Sequence, residues 1–321
     1  MLRREFIRLA GAIALVSPLC ARAQEPGRAY RLAIVVPVGR DEPPIVAFLE
    51  ELRAQGFIEG QNLTVMSVVA KNEQAETIVS TTIKSAPDVI TTGGDFIAQA
   101  FQKATRSIPL VVMTEDLVAA GFVSSLARPG GNITGISLLS PELDGKRQDI
   151  IIEAAPNAHR VAALADSNVS ELKHLQALEE SARTHGRELL VVRAASATEL
   201  IPAINDVVAR GAGALNVLGS PMLHLNRRVI IDRAAELRLP AIYQWPETAE
   251  EGGLIGYGPR FVELFRQRAN MVAKILRGTK PSDLPAEQPS KFQLVVNLRA
   301  AKAINYAVPT GLVLRADKVI E

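Results

Sequence analysis

The chain has 321 residues, 48% of them hydrophobic and only 4% aromatic, with 36 basic against 34 acidic side chains. That balance gives no composition argument for the clustered basic surface by which proteins hold nucleic acid or anionic membranes, and a single cysteine, Cys20, excludes an internal disulfide. A chain of this length tends to divide into more than one core, so two domains are expected.

Residues 1–23 read as an export signal. Arg3 and Arg4 open it, Leu9 to Leu19 form a short apolar run, and Ala21-Arg22-Ala23 supplies the small-x-small end, which predicts cleavage after Ala23. Ser17-Pro18 interrupts the run, and a bilayer span needs about 20 apolar residues, so no membrane span is expected in the mature chain. Arg3-Arg4 with Phe6 and Ile7 fits the twin-arginine route as well as the ordinary one, and the bulky Leu19 before Cys20 argues against a lipid anchor. The segment removes four arginines and one glutamate, leaving 32 basic against 33 acidic residues and no cysteine.

Beyond it, Tyr30 to Val36 is a β-branched run stopped by Pro37, as in a strand buried on both faces of a parallel sheet. Ile45, Phe48, Leu49 and Leu52 fall at helical spacing and Gly56 ends the helix. The alternation continues with a strand over 63–69, a helix over 74–85, a strand over 88–92, a helix over 95–106 and strands over 109–113 and 133–138. A helix over 142–155 opens a second series: strand 160–165, helix 170–185, strand 187–193, helix 198–210, strand 214–218, helix 223–238 and strand 240–244. Strands alternating with amphipathic helices predict an α/β fold of two doubly wound parallel-sheet lobes. The remainder offers a helix over 261–277, a strand near 291–297 and one short helix, best explained if the chain recrosses twice and makes a three-crossing hinge. The boundaries read 1–23 for the signal, 26–140 plus 252–289 for the first lobe, and 141–251 plus 290–321 for the second.

Several long strings carry a resemblance. Ala119-Ala120-Gly121-Phe122-Val123-Ser124-Ser125-Leu126-Ala127-Arg128-Pro129-Gly130-Gly131-Asn132-Ile133-Thr134-Gly135, Gly145-Lys146-Arg147, Glu251-Gly252-Gly253-Leu254-Ile255-Gly256-Tyr257-Gly258 and Leu284 to Asn297 all contribute. Together with Leu314-Arg315-Ala316-Asp317-Lys318-Val319-Ile320-Glu321, they closely resemble a large family of bacterial ABC transporter solute-binding proteins. The likeness implies the type I periplasmic binding protein fold, with a ligand closed between two lobes. The group includes binders of aromatic amino acids.

In doubly wound sheets ligands sit beyond the carboxyl ends of the strands. That rule nominates Arg40, Thr92, Gly93, Asp95 and Thr114 in the first lobe, with Asp116 beside them, and Asn168, Ser220, Met222 and Trp245 in the second. Thr92-Gly93-Gly94-Asp95 suits a carboxylate at a helix start, or is a turn with Asp95 as N-cap. Asp116 matches an acidic position recurring in the relatives, where it meets a ligand ammonium or caps a turn; Glu115 is its neighbour. Trp245 offers a stacking plane or packs the hinge, and Tyr257 on the crossing segment has the same two readings. Arg40 pairs with a ligand carboxylate or is solvated; Asn168 touches ligand or makes a turn; Met222 lines the pocket or fills the core. The relatives often carry aromatic residues where Met222, Leu223 and Pro246 stand here, which weakens the case for an aromatic amino acid.

Enzyme signatures fail. Gly-x-Gly-x-x-Gly is missing after the first strand, no Walker loop or Gly-x-Ser-x-Gly elbow occurs, and the four histidines lack metal-ligand spacing. The expectation is therefore a periplasmic receptor without catalytic residues, metal or cofactor, a monomer that delivers a small organic solute to an inner-membrane ABC permease. An amino acid or other small carboxylate leads. The alternatives are an exported two-lobed enzyme with a bound cofactor and a ligand-presenting sensor.

Overall fold

A computed structural model describes residues 28–70, 74–138, 140–168 and 172–321. The expected export signal, residues 1–23, lies outside them.

The first lobe is built from β1 (Tyr30–Val36), α1 (Pro43–Ala54), β2 (Leu63–Val69), α2 (Ala75–Lys84), β3 (Val89–Gly93), α3 (Asp95–Ala104), β4 (Leu110–Thr114) and β5 (Ile133–Ser137). Its sheet has the order β2-β1-β3-β4-β5, with every pairing parallel. β1 and β4 are buried almost throughout because helices cover both faces; a continuous run such as Leu32 to Val36 has no solvent side to alternate against.

The second lobe repeats the pattern with α4 (Ser140–Ala154), β6 (Arg160–Asp166), α5 (Leu172–Thr184), β7 (Glu188–Ala194), α6 (Leu200–Ala209), β8 (Ala214–Val217), α7 (Pro221–Leu225), α8 (Arg227–Glu236), β9 (Ala241–Tyr243), α9 (Pro246–Glu250) and β10 (Ile255–Gly258). The strands β7-β6-β8-β9-β10 stand in the same relative order as those of the first sheet. The chain closes with α10 (Phe261–Leu276), β11 (Gln293–Asn297), α11 (Leu298–Ala303), α12 (Thr310–Arg315) and β12 (Lys318–Ile320). β11 runs antiparallel to β10, and β12 parallel to β11, at the edge of the second sheet.

The structure corrects three boundaries. β10 pairs with β9, so residues 255–258 belong to the second sheet and not, as the sequence boundary of 252 has it, to the first lobe. The repeat of strand order explains this, since β10 is the fifth strand of its own lobe. The single helix expected over 223–238 is two, divided at Asn226, and the one short C-terminal helix is α11 followed by α12.

After β10 the chain crosses to the first lobe, where Leu264, Phe265, Ala269 and Val272 of α10 join the core beneath β1 and β4. It remains there through Glu287, whose backbone pairs with Gly135 and Ser137 beside β5, while Thr134 Oγ1 donates to Leu284 O at 2.8 Å. It then returns to β11. Arg260 fastens these crossings: Nη1 and Nη2 each reach a Glu250 carboxylate oxygen at 2.9 Å, and Nε donates to Gln293 Oε1 at 2.5 Å. A Cβ on Gly258 would stand 2.2 Å from Gln244 O, so only glycine lets β10 lie this close to the end of β9. Among the described residues no helix is long and apolar enough to cross a membrane.

Candidate functional site

The two lobes approach each other at the carboxyl ends of their strands. A Cβ on Gly94, at the start of α3 in the first lobe, would be 3.5 Å from Pro221 Cγ at the start of α7 in the second. Gly94 holds this turn with φ +84, a left-handed conformation that disfavours any side chain.

The first-lobe wall is polar and sparsely satisfied. Thr92 and Thr114 are 0% and 2% exposed, and neither hydroxyl has a hydrogen-bond partner. Gly94 is the N-cap of α3, with Asp95 the first helical residue, and no side chain caps the helix; the expectation that Asp95 is the N-cap is thereby corrected. Behind Gly93 lies Arg268, carried in from α10. Its Nη2 donates to Thr91 Oγ1 at 2.6 Å and to Thr92 O at 3.1 Å.

The second-lobe wall is aromatic and largely tied up. Ser220 Oγ donates to Asp166 Oδ2 at 2.7 Å and accepts from Leu223 N at 3.0 Å, capping α7. Asn168 Nδ2 donates to Asp166 Oδ1 and to Ala195 O, both at 2.9 Å. A small cavity beside them is lined by Leu223, His224, Arg227, Gln244, Trp245 and Thr248. His224 meets Phe261 at 4.9 Å and Trp245 at 6.2 Å between ring centroids. Burial, with Arg227 nearby, pulls its imidazole down to about 4, so it is neutral at pH 7. Arg227 chelates Glu251 through Nε at 2.5 Å and Nη2 at 3.1 Å, and this pairing raises its pKa. Glu42, across the cleft mouth on the first lobe, adds to the same effect.

Residues 33–320 match the family described as ABC transporter substrate binding protein. The chain belongs to that family. Its members are binding proteins rather than enzymes. This substrate-binding protein is 25% identical over 266 residues to the tyrosine-binding protein of Clostridioides difficile strain R20291, across 80% of this chain and 75% of that protein. The crystal structure of a conserved domain protein from Vibrio cholerae superposes with a TM-score of 0.82 at 25% identity, covering 91% of this chain and 100% of that one. The ABC domain in complex with L-Trp from Streptococcus pneumonia gives 0.80 at 19% identity, over 91% and 100% of the two chains, and so shares the fold.

Within this substrate-binding protein the nominated residues divide. Thr92, Gly93, Asp95 and Thr114 gather at neighbouring strand ends of the first lobe, because β3 and β4 pair with Gly93 opposite Met113. Four others are engaged within their own lobes. Arg40 pairs with Glu59 and both are exposed. Asp116 Oδ1 accepts from Val118 N at 3.0 Å and Ala119 N at 2.9 Å, the turn-capping reading. Asn168 and Ser220 are held on Asp166. Met222 is half-buried against the second-lobe core, and Tyr257 packs on Phe292 at 6.4 Å while its carbonyl accepts from Arg147. Trp245 is 4% exposed, packs tilted on Phe261 with ring centroids 4.7 Å apart and joins the first-lobe core, so it packs the crossing from the second lobe.

Strand-end logic does not reach Arg268, Arg227, His224 or Phe261. Arg268 lies on the stripe of an ordinary amphipathic helix, and its only sequence signal is a charge between Phe265 and Val272 on the buried side. The described residues hold no group of histidine, cysteine, aspartate and glutamate able to bind a metal ion.

Proposed function

We propose that this protein captures a small organic solute, an amino acid or another small carboxylate, between its lobes outside the cytoplasm and delivers it to an ABC permease of the inner membrane. The observation that carries the reading is the pair of facing strand ends, one polar and glycine-rich, the other backed by buried aromatic rings, so close that a Cβ added to Gly94 would touch the Pro221 ring. A solute held by both walls stabilises the closed arrangement over an open one, because only the closed form contacts it from both sides. The tyrosine-binding relative and the fold shared with an L-Trp complex support amino acids as the class to try first. In keeping with the sequence boundaries as corrected by β10, the lobes are 28–138 with about 259–289, and 140–258 with about 290–321.

A thermal-shift screen of the chain from Gln24 over amino acids, organic acids, nucleosides and sugars tests this. Binding to the native state raises the melting temperature; one solute class is expected to do so, and a flat response to every class contradicts the reading.

A further inference from the structure

Arg268 has an environment that the fold does not require. Its side chain is 1% exposed, and both Nε and Nη1 lack any hydrogen-bond partner. Among the described residues no carboxylate pairs with it; burial alone acts on the guanidinium, lowering it only to about 9, so it remains charged at pH 7. The face of Phe265, 4.7 Å from Cζ, supplies a weak compensation. A buried cation without an anion is strongly unfavourable, and protein interiors pair such charges or exclude them.

The guanidinium lies toward the cleft. Helical side chains lean toward the N-terminus of their helix, and the N-terminus of α10 is the crossing. Nη1, one of the two nitrogens with no acceptor, is 4.0 Å from the point where a Cβ of Gly93 would stand. The absence of that Cβ leaves the charge covered on this side by backbone, at the strand end from which α3 starts with no side-chain cap. An anion here meets the helix dipole and a guanidinium together. Asp95 and Glu115 occupy the same strand ends, so a polyanion such as phosphate is disfavoured by charge and a monoanion or zwitterion is not.

We infer that Arg268, reached past Gly93 and beside the start of α3, is an anion subsite of the cleft that takes one carboxylate of the solute. The inference rests on the receptor reading and adds to it the group that the first lobe recognises.

The test holds whichever solute the cleft takes. Acetate is added to the chain from Gln24 against acetamide and against chloride at equal ionic strength, and melting is followed. Acetate at about ten times its dissociation constant raises the melting temperature of the wild type by about 2 °C or more, acetamide does not, and phosphate does less than acetate. Arg268→Met abolishes the acetate response. Gly93→Ala abolishes it too while leaving the melting temperature of the free protein nearly unchanged, since the added Cβ meets Met113 O at 3.7 Å in ordinary contact. Equal responses to acetate and acetamide, a larger response to phosphate, or an undiminished acetate response in either variant overturns the subsite. A solute from the screen that binds Arg268→Met as tightly as wild type also overturns it but leaves the receptor reading standing; the expected loss is about 10- to 100-fold. A screen in which nothing binds while acetate still acts through Arg268 contradicts the receptor reading instead.

Discussion

Among the described residues each lobe buries one arginine, and the two are held in opposite ways. In the second lobe Arg147 has no exposed side-chain surface, binds the equally buried Asp144 one helical turn away, and donates through Nη1 to Tyr257 O at 3.1 Å. In the first lobe Arg268 is as deeply buried and has two backbone or hydroxyl acceptors but no carboxylate. The strand order is the same in both lobes, so the fold does not dictate the difference. A paired buried charge belongs to the architecture, here tying α4 to β10 of its own sheet; an unpaired one is held in reserve for a ligand.

Removing counterparts is the sharpest way to break this comparison. Asp144→Ala strands Arg147 in the interior and is expected to lower unfolding free energy by about 3–5 kcal/mol in urea or guanidinium titration. Arg268→Met removes a charge with no partner ion and replaces it with an apolar chain of similar length, so the free protein is expected to change by less than about 1 kcal/mol. Comparable losses in both variants would show that Arg268 is structural. Next in size, Trp245→Ala is expected to cost about 3 kcal/mol, because the ring is packed on Phe261 and in the first-lobe core rather than presented to solvent. Near-wild-type stability there would make Trp245 an open stacking plane.

Acid should act on the second-lobe wall through His224. Its folded pKa of about 4 lies below the unfolded value of about 6.5, so the unfolded chain binds the extra proton between those values. The stability that neutral His224 contributes is complete above pH 6.5 and is lost as pH falls toward 4, by about 2–3 kcal/mol in all. Replacing it in His224→Gln should flatten that part of the stability profile relative to wild type, and an unchanged slope would mean that the imidazole is solvated. The smallest effect belongs to Arg40→Ala, which removes an exposed pair with Glu59 and should alter stability by less than about 1 kcal/mol without changing solute affinity.

The sequence showed the fold in proportion to its periodicity. Runs such as Leu32 to Val36 and the helical stripe of Ile45, Phe48 and Leu52 carry their burial in their spacing, and strand-end logic leads to Thr92, Gly93 and Thr114 without any contact being seen. What it misses depends on pairing across the chain. β10 looks like a crossing loop until β9 is seen beside it. The helix over 223–238 has an unbroken apolar pattern although Asn226 divides it. Arg40 and Asp116 are as eligible as Thr92 until Glu59 and the turn amides of Val118 and Ala119 are found to occupy them. Arg268 sits 177 residues in sequence from Thr91, whose hydroxyl it binds, so no local motif announces it.

Closure of the two lobes around a solute is the central claim. Spin labels on cysteines introduced at Gln99 on α3 and Arg228 on α8, both exposed, would report it directly, because Cys20 is the only native cysteine and precedes Gln24. Pulsed dipolar distance measurements on the chain from Gln24, with and without the solute found in the thermal screen, are predicted to show a broad or long distance that shortens and narrows at saturation. A single distance distribution unchanged by saturating solute would contradict closure.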